Sequence, residues 1–210
     1  MALVEPLLDP AAISATVDRL AAEVSADHPD GVVLVGVLKG ALCFLADLAR
    51  AITVPVEIDF ISLSRFAPDS GRVRILHDIQ VDAEGRDVVL VEAMVDTGLT
   101  LAYLARVMAA RAPRSVRVCA LLDRVSRRIV PHPVDYRGHE VADGFLIGYG
   151  FHVGGWYQNL PALYLVDHDA VAQDPGALAP TVYRHWSSAT QGADSAEIAG
   201  GTLPHKEACR

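Results

Sequence analysis

The sequence predicts an α/β fold in which a mainly parallel, twisted sheet is flanked by helices. Apolar runs at 32–37, 88–95 and 116–122 are typical of strands that are buried on both faces. The first two runs are followed by helical periods at 41–52 and 101–111, each with one apolar face. Strands that alternate with helices favour βαβ units, whose neighbouring strands are parallel.

The remaining predicted elements are shorter. Asp9 and Pro10 supply a helix N-cap and a first-turn proline for a helix that runs to Ser25. Further strands are predicted at 54–63, 73–79, 134–141, 145–149 and 163–166, with a polar loop at 64–74. From Ala170 onward the periodicity is lost, so residues 170–210 are predicted to be a tail of low order. Within that tail, 181–186 is a candidate packed patch.

Composition excludes several classes of protein. The 210 residues suit one domain with some extra chain, and 51% apolar residues are ample for a core. A net charge of −8 argues against a nucleic-acid-binding surface. No apolar run reaches the roughly eighteen residues of a membrane span, and the N-terminus does not resemble a signal peptide. Three widely spaced cysteines form no disulfide or metal pattern, which favours the cytoplasm.

An anion-binding turn follows the apolar run 88–95. The run leads into Asp-Thr-Gly-Leu-Thr at 96–100 and then directly into a helix. In such a turn Gly98 lets the backbone approach a ligand, Thr97 and Thr100 add hydroxyl groups, and the helix N-terminus favours negative charge. The sequence therefore predicts a phosphate-type site at this corner.

Two carboxylates, Glu92 and Asp96, flank this turn. Because they would repel a phosphate, they suit sugar hydroxyls, a bridging Mg²⁺ or proton transfer. The alternative is an ordinary corner in which Asp96 only caps the helix. Similarly, Lys39 follows the apolar run 32–37 and is either a phosphate contact or an exposed lysine beside a flexible glycine.

The turn resembles the phosphoribosyl-diphosphate loop of type I phosphoribosyltransferases. That loop consists of an apolar strand, two acidic residues, two apolar residues and Asp-Thr-Gly-x-Thr, and Ala93 stands here in place of the second acid. Further blocks resemble hypoxanthine-guanine phosphoribosyltransferases in collinear order between residues 10 and 166. These blocks lie at 32–41, 57–60, 71–78, 120–124 and 134–150.

The resemblance implies a fold and a reaction. The fold would be that of type I phosphoribosyltransferases, with a domain at 1–169 and a small hood built from the N-terminal region and about 134–166. The reaction would transfer the 5-phosphoribosyl group from phosphoribosyl diphosphate to N9 of a 6-oxopurine, hypoxanthine or guanine, and release pyrophosphate. Mg²⁺ would arrive on the phosphoribosyl diphosphate, and the family usually forms dimers or tetramers.

The resemblance also assigns roles to single residues. Asp96 matches a carboxylate near purine N7, a candidate general base, and Glu92 matches a ligand of the ribose hydroxyls. Four residues match the 5′-phosphate cradle: Thr97, Gly98, Leu99 and Thr100. Three match a pyrophosphate loop that often holds a cis peptide bond before its lysine: Leu38, Lys39 and Gly40. Three match the purine-binding positions: Arg124, Phe145 and Leu146.

Several functional positions depart from the family pattern. Besides Ala93, Arg124 replaces a lysine that contacts the exocyclic oxygen of the purine. His152 replaces an aspartate that holds Mg²⁺, and because imidazole is a poor ligand for this ion, no protein ligand for the metal is assigned. Gln158 replaces an arginine that contacts pyrophosphate. In the polar loop, Arg65 and Phe66 stand where serine and tyrosine are usual.

These departures leave three interpretations open. The chain is a working purine phosphoribosyltransferase, a divergent one that uses a modified base in a specialised pathway, or a non-catalytic nucleotide-binding or regulatory protein. A metal-hydrolase interpretation is weaker, since His132 and His139 lack zinc-type spacing.

Overall fold

Six strands form the main sheet in a computed structural model that describes residues 5–64, 74–184 and 186. They are β1 (Val32–Leu38), β2 (Val56–Leu63), β3 (Ile75–His77), β4 (Asp87–Val95), β5 (Ser115–Asp123) and β6 (Tyr136–Glu140). Their order is β3-β2-β1-β4-β5-β6, and β3 pairs antiparallel to β2 while the other pairs are parallel. The predicted mainly parallel sheet is confirmed. Arg65 and Phe66 lie outside the described residues.

Helices cover both faces of this sheet. They are α1 (Pro10–Asp27), α2 (Leu42–Ala51) and α3 (Leu99–Ala109). The Asp9 carboxylate accepts a hydrogen bond from the Ala12 N–H at 2.7 Å, which confirms the predicted N-cap. One apolar cluster joins α1 and α2 to the sheet, and a second joins α3 to its other face, so β1 and β4 are buried on both sides. None of the described helices is both long and apolar enough to cross a bilayer.

A two-stranded antiparallel sheet forms the hood. It pairs β7 (Phe145–Ile147) with β8 (Tyr164–Val166), and the N-terminal region joins it through backbone hydrogen bonds between Leu8 and Leu163. The strand predicted at 134–141 is not part of the hood. It corresponds to β6, which pairs with β5 because the buried Tyr136 lies beside Cys119 in that register.

The chain beyond residue 169 is more ordered than predicted. It contains α4 (His168–Ala172) and a helical stretch at 179–184. Val171 and Val182 are buried, and the Tyr183 ring stacks on Tyr157 with centroids 6.1 Å apart. The expectation of low order is therefore wrong for 170–184, because single apolar side chains dock on the hood without a helical period. The division into a domain at 1–169 and a tail stays a prediction.

Candidate active site

Three sequence-predicted loops meet at the carboxyl ends of the parallel strands. The loop after β1 lies beside β4, since a Cβ built on Gly40 would be 3.7 Å from the Cβ of Ala93. The loop after β5 lies beside the end of β4, where the Arg124 N–H donates to the Val95 carbonyl at 2.9 Å. Open α/β sheets bind ligands at this edge.

The turn after β4 has the geometry of an anion site. Gly98 is the N-cap of α3 with a φ of 81°, and no side chain caps the helix. Asp96 therefore does not cap it, so the capping role that the ordinary-corner alternative gave to Asp96 is wrong, while the anion site stays a prediction. A Cβ on Gly98 would lie 2.3 Å from the Val130 carbonyl oxygen, so glycine is required here. The Thr97 carbonyl accepts hydrogen bonds from the N–H groups of Ile129 and Val130, which brace the turn.

A cavity of about 220 Å³, the smaller cavity, opens over this helix N-terminus. Its lining residues are Glu92, Met94, Val95, Asp96, Thr97, Gly98, Thr100 and Leu101. The predicted residue Leu99 is absent from this lining, and its side chain is exposed. The Leu99 N–H donates weakly to the Thr97 hydroxyl at 3.5 Å, while the N–H groups of Thr100 and Leu101 have no partner in the described chain and are available to an anion.

Glu92 has an unusual protonation equilibrium in this cavity. Its side chain projects from β4 and makes no hydrogen bond with any residue that the structure describes. Loss of hydration raises the pKa of this carboxyl group to about 8. At neutral pH Glu92 is therefore mainly protonated and adds little negative charge to the cavity.

A second cavity of about 610 Å³, the larger cavity, lies between the turn and the hood. It is lined by Met94, Asp96, Arg124, Arg127, Gly144, Phe145, Leu146, Phe151, His152, Val166, Asp167 and His168. The three predicted purine-binding residues are all in this wall. Because Met94 and Asp96 line both cavities, a ligand that spans the two would pass these side chains.

Asp96 and Arg124 both line the larger cavity, and each has a buried polar atom without a hydrogen-bond partner among the described residues. Arg124 is only 4% exposed, and its Nη2 donates to the Gly144 carbonyl at 2.7 Å. Its Nη1 lies 3.7 Å from Asp96 Oδ1, and Arg127 Nε lies 3.5 Å from the same oxygen. These separations exceed hydrogen-bond distances, so Arg124 Nε and Asp96 Oδ1 are both buried without a hydrogen-bond partner among the described residues.

The lysine loop lies beside the cavities but lines neither of them. Leu38 and Lys39 are joined by a cis peptide bond, as the resemblance implied. Lys39 is exposed and makes no hydrogen bond or ion pair with the described part of the chain. Gly150 packs against the Gly40 carbonyl group so closely that a Cβ atom on Gly150 would lie 2.5 Å from the Gly40 carbonyl oxygen. The loop is thus held in place while the lysine side chain is left available.

The altered positions separate into two groups. His152 lines the larger cavity, and its Nδ1 accepts a hydrogen bond from the Gly155 N–H at 3.4 Å. Gln158 does not line either cavity, because its Nε2 donates to the Gly150 carbonyl at 3.2 Å. Ala93 is buried against Gly40. Only His152 of these three can touch a ligand directly.

The residues at this edge do not form a complete metal cage. Over the residues that the structure describes, no cluster of three or more His, Cys, Asp or Glu side chains is placed to hold an ion. Mg²⁺ commonly binds through one or two carboxylates, several waters and the phosphates of a substrate. Asp96 therefore fits an ion that arrives on a phosphate ligand, and Glu92 fits one only in its deprotonated form.

Several residues that line the larger cavity were not predicted from the sequence. Arg127 lies three residues after Arg124 in an arginine-rich stretch, which is a sequence signal for its position near Asp96. His168 had none, because it reaches the cavity from α4, where its ring lies 5.3 Å from Phe145. The other missed residues are Met94, Phe151, Val166 and Asp167.

Comparisons with known proteins agree with this geometry. The family model described as "Phosphoribosyl transferase domain" matches residues 4–153. A hypoxanthine phosphoribosyltransferase of Salmonella typhimurium is 37% identical over 164 residues, covering 75% of this chain and 92% of the relative. A hypoxanthine-guanine phosphoribosyltransferase of Mycobacterium tuberculosis is 40% identical over 148 residues, 69% of this chain and 73% of the relative. The crystal structure of a Bacillus anthracis hypoxanthine-guanine phosphoribosyltransferase superposes with a TM-score of 0.75 at 35% identity, covering 79% of this chain and 99% of that one.

Proposed function

Because the chain belongs to the phosphoribosyl transferase family, within its hypoxanthine-guanine branch, we propose that it transfers the 5-phosphoribosyl group of phosphoribosyl diphosphate to N9 of a 6-oxopurine. One observation carries the assignment of the acceptor. Arg124 and Asp96 line one cavity with Phe145, and they carry a buried donor, Arg124 Nε, and a buried acceptor, Asp96 Oδ1, that have no hydrogen-bond partner among the described residues. The O6 and N7–H edge of a 6-oxopurine supplies the complementary acceptor and donor.

Binding of the acceptor base gives hydrogen-bond partners to two buried polar atoms that otherwise lack them, Arg124 Nε and Asp96 Oδ1. A buried polar atom without a partner costs about 1–3 kcal/mol, so a ligand that pairs both gains specificity as well as affinity. A purine that lacks O6 would leave Arg124 Nε without a partner. Phe145 offers an aromatic ring at the cavity wall on which the base can stack.

Transfer proceeds by exchange of one bond at the ribose C1′. The N9 lone pair forms the new C1′–N9 bond while the bond from C1′ to the diphosphate oxygen breaks, and the diphosphate leaves with that electron pair. Asp96 accepts the proton from N7 as positive charge develops on the base. Arg124 and Arg127 stabilise the negative charge of Asp96 before the transfer.

The donor occupies the smaller cavity and the lysine loop. The 5′-phosphate accepts hydrogen bonds from the first N–H groups of α3 and from the hydroxyls of Thr97 and Thr100. Glu92, mainly protonated, contacts the ribose hydroxyls without repelling the phosphate. Lys39 pairs with the diphosphate from its exposed position beside β4.

The proposal also includes the metal ion, the oligomeric state and the cellular location of the protein. Mg²⁺ would supply charge neutralisation of the diphosphate, and Asp96, with Glu92 when it is deprotonated, would hold the ion. A homodimer or homotetramer is expected from the family resemblance. Two cysteines, Cys43 and Cys119, are free thiols in the described chain, which supports a reducing location such as the cytoplasm.

The test is the release of pyrophosphate from phosphoribosyl diphosphate and Mg²⁺, with hypoxanthine, guanine and xanthine supplied separately. Base-dependent release supports the proposal. No release with any base, while inosine or guanosine monophosphate still raises the Tm, would overturn it in favour of a nucleotide-binding protein. The buried Ala93 is the observation behind that second candidate, since it removes an acid beside the lysine loop.

A further inference from the structure

The segment that follows β8, residues 167–184, forms part of the wall of the larger cavity, and we call it the C-terminal strap. The region that matches the family model ends at residue 153, so the strap lies outside that region. Its first two residues, Asp167 and His168, line the larger cavity together with Phe145. The strap therefore reaches the ring on which the base is proposed to stack.

His168 contacts the Phe145 ring in an edge-to-face arrangement. The ring centroids are 5.3 Å apart, and the ring planes meet at 65°. The sheet register brings the two rings together, because Val166 of β8 pairs with Phe145 of β7 and the chain reaches His168 two residues later. Aromatic pairs in this geometry stabilise each other beyond the area that they bury, so His168 restricts the movement of the Phe145 ring.

The helix that carries His168 is held at its start and along its buried side. The Asp167 carboxylate caps α4 by accepting a hydrogen bond from the Asp169 N–H at 3.0 Å. Val171, three residues after His168, is completely buried. Because residues three apart on a helix are neighbours on its surface, Val171 anchors the turn of α4 that presents His168.

The far end of the C-terminal strap is anchored on the hood. Val182 is buried in the apolar cluster of the hood, and Phe145 packs against the same cluster. The Tyr183 ring stacks on Tyr157, whose hydroxyl accepts a hydrogen bond from the Leu178 N–H at 3.2 Å. With both of its ends held, the strap keeps His168 beside Phe145.

We propose that His168 is a positioning residue, and that the C-terminal strap holds its ring against Phe145 to fix the surface on which the acceptor base stacks. This inference rests on the proposed function. A base that stacks on a ring already held in place has less side-chain freedom to remove when it binds. Neither His168 nor Phe145 lines the smaller cavity, so the contact affects binding of the base and leaves binding of the donor unchanged.

The experiment measures kcat and the KM values of hypoxanthine and phosphoribosyl diphosphate in the wild type, His168→Ala and His168→Phe. His168→Ala should raise the KM of hypoxanthine about 3- to 10-fold, as expected for one aromatic pair, and leave kcat and the KM of phosphoribosyl diphosphate nearly unchanged. His168→Phe keeps an aromatic edge without an ionisable group and should restore the wild-type KM. If His168→Phe behaves like His168→Ala, or if His168→Ala lowers the KM of hypoxanthine, the inference is wrong.

A variant outside the cavities tests whether α4 acts through His168. Val171→Ala should also raise the KM of hypoxanthine, and it should add nothing in the presence of His168→Ala, because Val171 lines neither cavity. Additive effects of the two substitutions would contradict the inference. Gln173→Ala is the matched control, since Gln173 is exposed at the end of α4, and its kinetic constants should equal those of the wild type.

If no base is turned over, the rise in Tm with inosine monophosphate is compared with the rise with phosphoribosyl diphosphate. A smaller rise with inosine monophosphate in His168→Ala, and an unchanged rise with phosphoribosyl diphosphate, would support the inference although the proposed transfer had failed. Equal rises with inosine monophosphate in His168→Ala and the wild type would overturn it.

Discussion

Two aspartates at opposite ends of the main sheet, Asp87 and Asp96, use their neighbouring arginines in opposite ways. At the amino ends of the strands, Asp87 accepts hydrogen bonds from Arg114 and from the Ser115 hydroxyl, the latter at 2.6 Å. His28 Nδ1 lies 3.2 Å from the same carboxylate. At the carboxyl ends, the Asp96 carboxylate is 3.5 Å or more from the nitrogens of Arg124 and Arg127, and its Oδ1 is buried without a hydrogen-bond partner among the described residues.

This difference separates a stabilising contact from a binding site. Chiefly through its hydrogen bond to the Arg114 guanidinium, the folded structure holds the pKa of Asp87 well below its ordinary value, although burial opposes the shift. That network contributes to folding because its strongest bonds are already made. The Asp96 pair leaves hydrogen-bonding capacity unused, which a ligand can take up.

The largest expected effect is on catalysis. Asp96→Asn should lower kcat by about 10²-fold, because the carboxylate that accepts the N7 proton is lost. The Tm should stay within a few degrees, since Asp96 Oδ1 makes no hydrogen bond in the described structure. Steady-state pyrophosphate release and thermal unfolding measure the two quantities. Asp143→Asn is the control, because Asp143 Oδ1 also lies near Arg124, 3.9 Å from its Nε, but the Asp143 side chain is largely exposed. If Asp96→Asn and Asp143→Asn have nearly equal kcat values, Asp96 is not the general base.

The next effect is on stability at the opposite end. Asp87→Asn should lower the free energy of unfolding by about 2 kcal/mol at pH 7, because Arg114 loses its charged partner. Chemical denaturation measures this value, and kcat of the folded variant should be unchanged.

The difference in the free energy of unfolding between Asp87→Asn and the wild type should shrink at acidic pH. Folding depresses the pKa of Asp87, so the stability it contributes is present above the ordinary aspartate pKa of about 3.9 and is lost as the pH falls below that value. A loss of stability that is the same at pH 3 and pH 7 would contradict the ionic origin of the effect.

The smallest effect concerns Glu92. Folding raises the pKa of this carboxyl from about 4.3 to about 8, so ionisation opposes folding increasingly between these pH values. Glu92→Gln should therefore match the wild type at pH 4 and be more stable at pH 8, by about 1 kcal/mol because the carboxyl opens into a cavity. Thermal unfolding across this pH range measures the difference. A difference in stability between Glu92→Gln and the wild type that does not change with pH would refute the burial effect.

Local features of the sequence were enough to predict the turn after β4. An apolar run, a turn whose positive φ favours glycine and a helical period are all set by neighbouring residues, so the turn at Thr97 and Gly98 was predicted in the right place. The same holds for the N-cap at Asp9. The pairing of β6 with β5 was not predictable in this way, because a strand of five residues carries no information about its partner.

The sequence by itself determined the α/β class, the family resemblance and the identity of the residues at the strand ends. Only the tertiary structure decided that Arg124 is buried and held by the Gly144 carbonyl at a distance from Asp96. It also decided that Gln158 braces Gly150 while His152 faces the larger cavity. The physical reason is that backbone conformation follows from neighbouring residues, whereas burial and hydrogen-bond partners depend on segments that are distant along the chain.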